Sequence, residues 1–216
     1  PALNNAINIS IKDDRKIICI YILENYINFS SNFGSASKWW LHGSLQSLDQ
    51  ALTKLNDEKI SSSLNFFQGD PKKILLNLCN KYFSDYVFWN RRYEPEQVNR
   101  DREIKLNLEN NNVCVKTYSG SVLVEPWNVL GKQNQRLRVF THYKNSLINN
   151  HIINKPISRP KRLSLLKIEG TKSLNEFKLR NQNWMKKFEN IWEVGEDFAL
   201  KKLDRFIDKN INNYHC

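Results

Sequence analysis

Few of the features by which a sequence declares its chemistry are present in this chain. Its seven glycines are scattered, and none falls into GxGxxG or GxxxxGK(S/T), the loops whose backbone amides cradle phosphate. HExxH and GxSxG are absent too, so neither the zinc-protease helix nor the hydrolase nucleophile turn is encoded. The four cysteines, Cys19, Cys79, Cys114 and Cys216, form no CxxC and no cluster with histidine. That pattern predicts neither zinc nor a disulfide framework, but buried, reduced thiols in a cytoplasmic protein. No apolar run approaches the roughly 20 residues of a membrane span, and no signal peptide is recognisable. His42, His142, His151 and His215 are isolated and read as surface or packing residues. No catalytic residue and no metal ligand is assigned.

Acid is missing from one long stretch. From Lys132 to Arg162 the chain carries eight basic residues (Lys132, Arg136, Arg138, Lys144, Lys155, Arg159, Lys161, Arg162) and no Asp or Glu. The whole chain has 33 Lys and Arg against 22 Asp and Glu, a net charge of +11. Such a balance favours acidic partners, most simply nucleic acid, and the acid-free run is the candidate contact surface. A solvated linker has the same composition.

What is there reads as alternating strands and helices. Short apolar runs at Lys16–Leu23, Leu64–Phe67, Asp85–Trp89 and Val113–Tyr118 predict strands. Ser35–Leu55 places Leu41, Leu45, Leu48, Leu52 and Leu55 at the spacing of one helical face. Asp70-Pro71 opens a helix over Lys72–Phe83. Glu96–Asn107 reads as a weaker helix, because Ile104, Leu106 and Leu108 alternate. A last amphipathic helix, Val194–Asn210, turns Phe198, Leu203, Phe206 and Ile207 to one side, an apolar face that needs something to pack on. Strand–helix alternation of this kind predicts an α/β fold with a parallel sheet.

In such a sheet ligands lie beyond the carboxyl ends of the strands. Asn90-Arg91-Arg92-Tyr93-Glu94 stands at one such end. These side chains are placed either to meet a ligand or to cap the next helix and pair with each other. Trp39-Trp40 offers a stacking platform for bases or, at the start of an amphipathic helix, a core contribution.

Several stretches taken in order resemble the amino-terminal α/β domain of the photolyase/cryptochrome family, as found in microbial class I-type cyclobutane pyrimidine dimer photolyases. They are PALNNAI, GSASKWWLHGSLQSLDQAL, FFQGDPKKILLNL, FWNRRYEPEQVNRD, LRVFTHYKNSL and WMKKFENIWEVGEDFALKKLDRFIDKNINNY. The resemblance implies a Rossmann-like parallel sheet flanked by helices over residues 1–145. It implies an inter-domain linker over 146–190 and the start of an FAD-binding helical domain over 191–216. It also implies light-driven repair of dimers in damaged DNA by electron transfer from reduced FAD. An antenna chromophore, methenyltetrahydrofolate or a deazaflavin, would serve that FAD. A monomer is expected, and the alternative is a cryptochrome-type photoreceptor without repair.

Carried over by position, the antenna pocket would use Asn90, Arg91, Arg92, Tyr93, Glu94, Glu96 and Gln97, with Ser37 and Lys38 facing the same region. Tyr214 alone matches a flavin-contacting tyrosine. The family's VFTPFW reads Val139-Phe140-Thr141-His142-Tyr143-Lys144 here, so a proline and a tryptophan are replaced. The chain opens inside what reads as a short helix with no strand before it, and it closes before most of the flavin site. Both ends therefore predict a piece of a longer protein, inactive in repair by itself.

Overall fold

A computed structural model describes residues 1–24, 34–58, 62–153, 155–180, 183–189 and 191–214. His215 and Cys216 lie outside the described residues. In chain order the elements are α1 (Ala2–Asp13), β1 (Cys19–Leu23), α2 (Ser35–Leu55), β2 (Leu64–Gln68), α3 (Pro71–Tyr82), β3 (Tyr86–Asn90) and α4 (Pro95–Glu109). They continue with β4 (Cys114–Tyr118), α5 (Phe140–Asn150), α6 (Lys186–Glu189) and α7 (Glu196–Lys209). The expected α/β class with parallel strands is what forms. Among the described residues the strands make two two-stranded sheets, β1–β2 and β3–β4. The chain divides into two compact units, Pro1–Arg15 with Lys72–Pro160, and Lys16–Pro71 with Lys161–Cys216.

The first unit is built on β3 and β4, which run parallel in register from Tyr86 opposite Cys114 to Asn90 opposite Tyr118. Its core joins Cys79 from α3, Ile104 and Leu108 from α4, and Val113 and Val115, with Val87 and Trp89 packed against them. The alternation that weakened the α4 reading resolves simply. Ile104 and Leu108, four residues apart, turn inward, while Leu106 is 53% exposed. Alternation on β4 also corrects one cysteine: Val113 and Val115 take the buried face, so Cys114 faces out. α1 buries Ala2, Ala6 and Ser10 at fourfold spacing, and the Ser10 hydroxyl donates to the Arg15 carbonyl. α5, which the sequence reading left without an element, buries no side chain fully.

The second unit pairs β1 and β2 in parallel, Cys19 opposite Leu64 through Leu23 opposite Gln68. α2 matches its expected bounds, but its buried face is Trp39, His42, Gly43, Leu45 and Leu52. Leu48 is exposed, so the inward stripe lies toward the tryptophan and histidine rather than along all five leucines. Residues 161–180, irregular and within the stretch read as a linker, run along this sheet. Ile17 N–H donates to Ser164 O at 2.9 Å, Leu166 N–H to Ile17 O at 2.9 Å, and Lys172 N–H to Phe66 O at 2.9 Å. Leu163, Leu165 and Ile168 are buried there.

One polar side chain fixes that strap. Asn65 is fully buried, and its Nδ2 donates to Cys19 O at 3.0 Å and Leu166 O at 3.1 Å. Its Oδ1 accepts from Ile168 N–H at 3.0 Å. A buried amide is tolerated because its donors and its acceptor are all used. α7 buries no residue fully, and Phe198, Leu203 and Ile207 remain exposed along it.

Candidate functional site

The carboxyl end of β3 continues as a ladder for one residue past Asn90: Arg91 N–H donates to Tyr118 O at 2.8 Å. That bond holds the Arg91 side chain over the end of β4. Its Nη1 donates to Thr117 O at 2.7 Å and to Thr117 Oγ1 at 3.1 Å. Its Nε and Nη2 both reach Glu125 Oε1, at 2.8 and 2.5 Å. The other carboxylate oxygen of Glu125 accepts from Tyr93 OH at 2.9 Å. Glu125 is buried, so its charge is held by a guanidinium and a phenol, the condition under which a buried carboxylate persists.

A second pairing lies beside the first. Arg92 Nη2 donates to Asp101 Oδ1 at 2.9 Å, and Arg100 Nη2 donates to the same oxygen at 2.7 Å. Burial raises the Asp101 pKa above its ordinary value, and this outweighs the opposing pull of Arg100. Desolvation wins because the carboxylate surrenders water on its buried side.

These pairs frame a cavity of about 600 Å³, within the size range of small-molecule sites. Trp89, Tyr93, Trp127 and Tyr143 supply aromatic walls. The Trp127 ring lies 6.1 Å from Tyr93 and 5.9 Å from the Arg91 guanidinium. Arg102, Lys105 and Arg136 join the lining, and Asp101 is its one acidic member. The cavity therefore offers flat apolar faces beside excess positive charge.

Of the residues singled out in sequence, Arg91, Arg92 and Tyr93 line this cavity. Asn90 serves structure instead: its Oδ1 accepts from Ala2 N–H at 3.2 Å, and Gly120 approaches so closely that an added Cβ would stand 2.5 Å from its side chain. Glu94 is the N-cap of α4, Glu96 lies in its first turn and Gln97 follows, and none of the three lines the cavity. Ser37 and Lys38 are exposed in the first turn of α2, in the other unit. Trp39, 2% exposed, takes the core role, while Trp40 is 44% exposed with its ring edge-on to Trp192 at 6.3 Å. Trp39 packs in the interior, with its ring tilted against Phe188 at 5.5 Å. Tyr214 is 68% exposed and packs edge-on against Phe206.

The eight cations of the acid-free run are all exposed. Lys132, Arg136, Arg138, Lys144, Lys155 and Arg159 belong to the first unit, and Lys161 and Arg162 to the second, where Arg162 pairs with Asp57. Sequence reasoning missed Glu125, Trp127 and Asp101 as parts of the site. Nothing local marks Glu125 and Trp127, which reach β3 only through the fold, whereas Asp101 closes the FWNRRYEPEQVNRD stretch nine residues past Arg92. Among the described residues no group of three His, Cys, Asp or Glu could hold a metal ion, and no helix is long and apolar enough to cross a membrane.

In open α/β folds the carboxyl ends of the parallel strands are where ligands bind, and the aromatic, cationic cavity lies at such an end. Comparison with known proteins makes that reading particular. The family model described as DNA photolyase matches residues 1–161. The deoxyribodipyrimidine photo-lyase of Agrobacterium fabrum is 33% identical over 98% of this chain and 43% of its own length. Cryptochrome-2 of Arabidopsis thaliana is 26% identical over 84% of this chain and 30% of its own. Among solved structures, a class III photolyase from Agrobacterium tumefaciens superposes with a TM-score of 0.81 at 33% identity, covering 96% of this chain and 41% of that one. The chain belongs to the DNA photolyase family, and it spans less than half the length of these relatives.

Proposed function

We propose that this chain is the light-harvesting part of a deoxyribodipyrimidine photolyase. In the longer protein, reduced FAD splits cyclobutane pyrimidine dimers in DNA, and an antenna chromophore bound to this part feeds it excitation energy. Residues 1–145 act as the antenna domain, 146–190 as the link and 191–216 as the entry into the flavin domain. The observation that carries the reading is identity to a photo-lyase along 98% of the chain.

The cavity beyond β3 supports that reading. Trp89, Tyr93 and Trp127 offer faces for a planar ring, and Arg91 and Arg92 build the wall rather than hold the ligand, because each is already paired with a carboxylate. The exposed cations from Lys132 to Arg162 suit contact with DNA phosphates. Unpaired thiols at Cys19, Cys79 and Cys114 suit a reducing, cytoplasmic compartment.

The test is a chimera in which this chain replaces the matching part of the Agrobacterium enzyme. Light-dependent loss of dimers from an irradiated oligonucleotide supports the reading. A chimera that binds and photoreduces FAD yet leaves dimers intact in the light favours a photoreceptor instead.

A further inference from the structure

We propose that the amine of Lys167 is a site of acylation by activated acyl donors of the acyl-phosphate kind, and that the acyl group loosens the strap over β1 and β2. The site belongs to the second unit and shares no residue with the cavity beyond β3.

Both neighbours of Lys167 are fixed. The Asn65 side chain binds Leu166 O and Ile168 N–H, so the chain between them is held. The Lys167 side chain is held as well: its Nζ donates to Leu64 O at 2.8 Å and to Ser62 Oγ at 3.3 Å. The Phe66 ring stands 5.9 Å from Nζ, at the outer limit of a cation–π contact. Asp49 on α2 is the charged group that acts on the amine, but its carboxylate is occupied elsewhere. Asp49 Oδ1 accepts from Ser63 N–H and from Leu64 N–H, each at 2.8 Å. Among the described residues no carboxylate comes within ion-pair distance of Lys167.

An ammonium so placed is short of both solvent and counter-charge. Burial lowers the Lys167 pKa from its ordinary value, and the smaller pull of Asp49 does not restore it. The neutral amine keeps two protons, one for each acceptor, and its lone pair then points away from both. Lys167 is half-buried rather than enclosed, so a small donor can reach that lone pair. This is the setting of a nucleophilic lysine. The nitrogen attacks the acyl carbon, the bond from that carbon to the phosphate oxygen breaks, and the nitrogen's surplus proton leaves with the phosphate. The amide that forms is neutral and has one N–H, so it cannot serve Ser62 Oγ and Leu64 O together.

Acetyl phosphate is the probe, added to this chain near neutral pH, with acetylation followed over time at each lysine by mass spectrometry. Lys167 is expected to react at least about threefold faster than the exposed Lys155, Lys161 and Lys178, because more of its amine is neutral. In denaturing urea the four should react alike. Equal or slower reaction at Lys167 in the folded chain, or a preference that survives urea, overturns the site. Loosening of the strap is read from amide exchange at Ile168. Acetylated protein should exchange there at least about threefold faster than Lys167→Arg protein treated in the same way, which keeps the positive charge and offers no amine. Equal exchange in the two overturns the loosening and leaves the acylation site standing.

Discussion

Glu125 holds two side chains at once, the Arg91 guanidinium and the Tyr93 hydroxyl. Glu125→Gln keeps the shape but removes the charge, leaving Arg91 half-buried without a counter-ion. The expected loss is about 1–3 kcal/mol of stability in urea unfolding, with weaker ligand binding because the Tyr93 wall loosens. Glu94→Gln, one residue past Tyr93 but outside the cavity, changes neither. His42 supplies a pH handle. It is buried on α2 with Nδ1 unpartnered, and burial together with the nearby Arg180 lowers its pKa from the ordinary 6.5. Below pH 6.5 the unfolded chain takes up a proton that the folded chain refuses. Stability is therefore full above the unfolded value and falls as the pH drops toward the folded one, by at most about 1.4 kcal/mol per pH unit. His42→Gln should flatten that part of the profile in unfolding measured from pH 7.5 to 5. At this scale the sequence was partly legible. The strand end Asn90–Glu94 was found, since strand runs and their polar stops are local signals. Glu125 and Trp127 were not, because they meet Arg91 across more than thirty residues that include α4 and β4, a separation of 34 for Glu125.

Elements were easier to read than their partners. α2 begins and ends where its apolar spacing places it, yet the presence of His42 and Gly43 on its buried face could not be read from a leucine pattern. Gly43 is there because Val194 packs against it, with an added Cβ 3.0 Å away. Gly195 next along has φ +124°, and a Cβ there would run into the Ser47 hydroxyl. Gly195→Ala should cost at least about 2 kcal/mol, from backbone strain together with the clash. Gly34→Ala, with nothing within 4 Å of the new methyl, should stay within about 0.5 kcal/mol. Paired thermal melts decide it. The strap over β1 and β2 offers a second test. Asn65→Leu discards three hydrogen bonds and strands the Ile168 N–H and two carbonyls in the interior, an expected loss of about 2–4 kcal/mol. Amide exchange at Ile168 should accelerate in that variant. No sequence pattern announces such a strap, because irregular backbone held by one distant side chain has no period to detect.

For the whole molecule the charge excess was plain from composition, but its distribution was not. The structure divides the acid-free run, keeping six cations with the first unit and giving Lys161 and Arg162 to the second. If the run meets phosphate, Arg138→Ala with Lys144→Ala should weaken binding to undamaged duplex. It should also lower the slope of log affinity against log salt by up to about 2. An unchanged slope, measured by anisotropy across a salt series, would remove these two from the contact surface. Both residues lack an ion-pair partner among the described residues, so their loss should leave stability unchanged.

The Asn65 strap also orders events in time. Its partners Leu166 and Ile168 lie 101 and 103 residues further along the chain. A nascent polypeptide leaving the ribosome displays β1, α2 and β2 long before the segment that covers them has been translated. Lys72–Pro160, which with Pro1–Arg15 forms the other unit, emerges in the interval and can complete itself first. Synthesis from the amino end thus obliges the earlier sheet to wait, half-dressed, until residue 168 has left the ribosome. Slowing translation before residue 168 has left the ribosome would lengthen the exposure of Leu64 and Phe66 to chaperones and to aggregation.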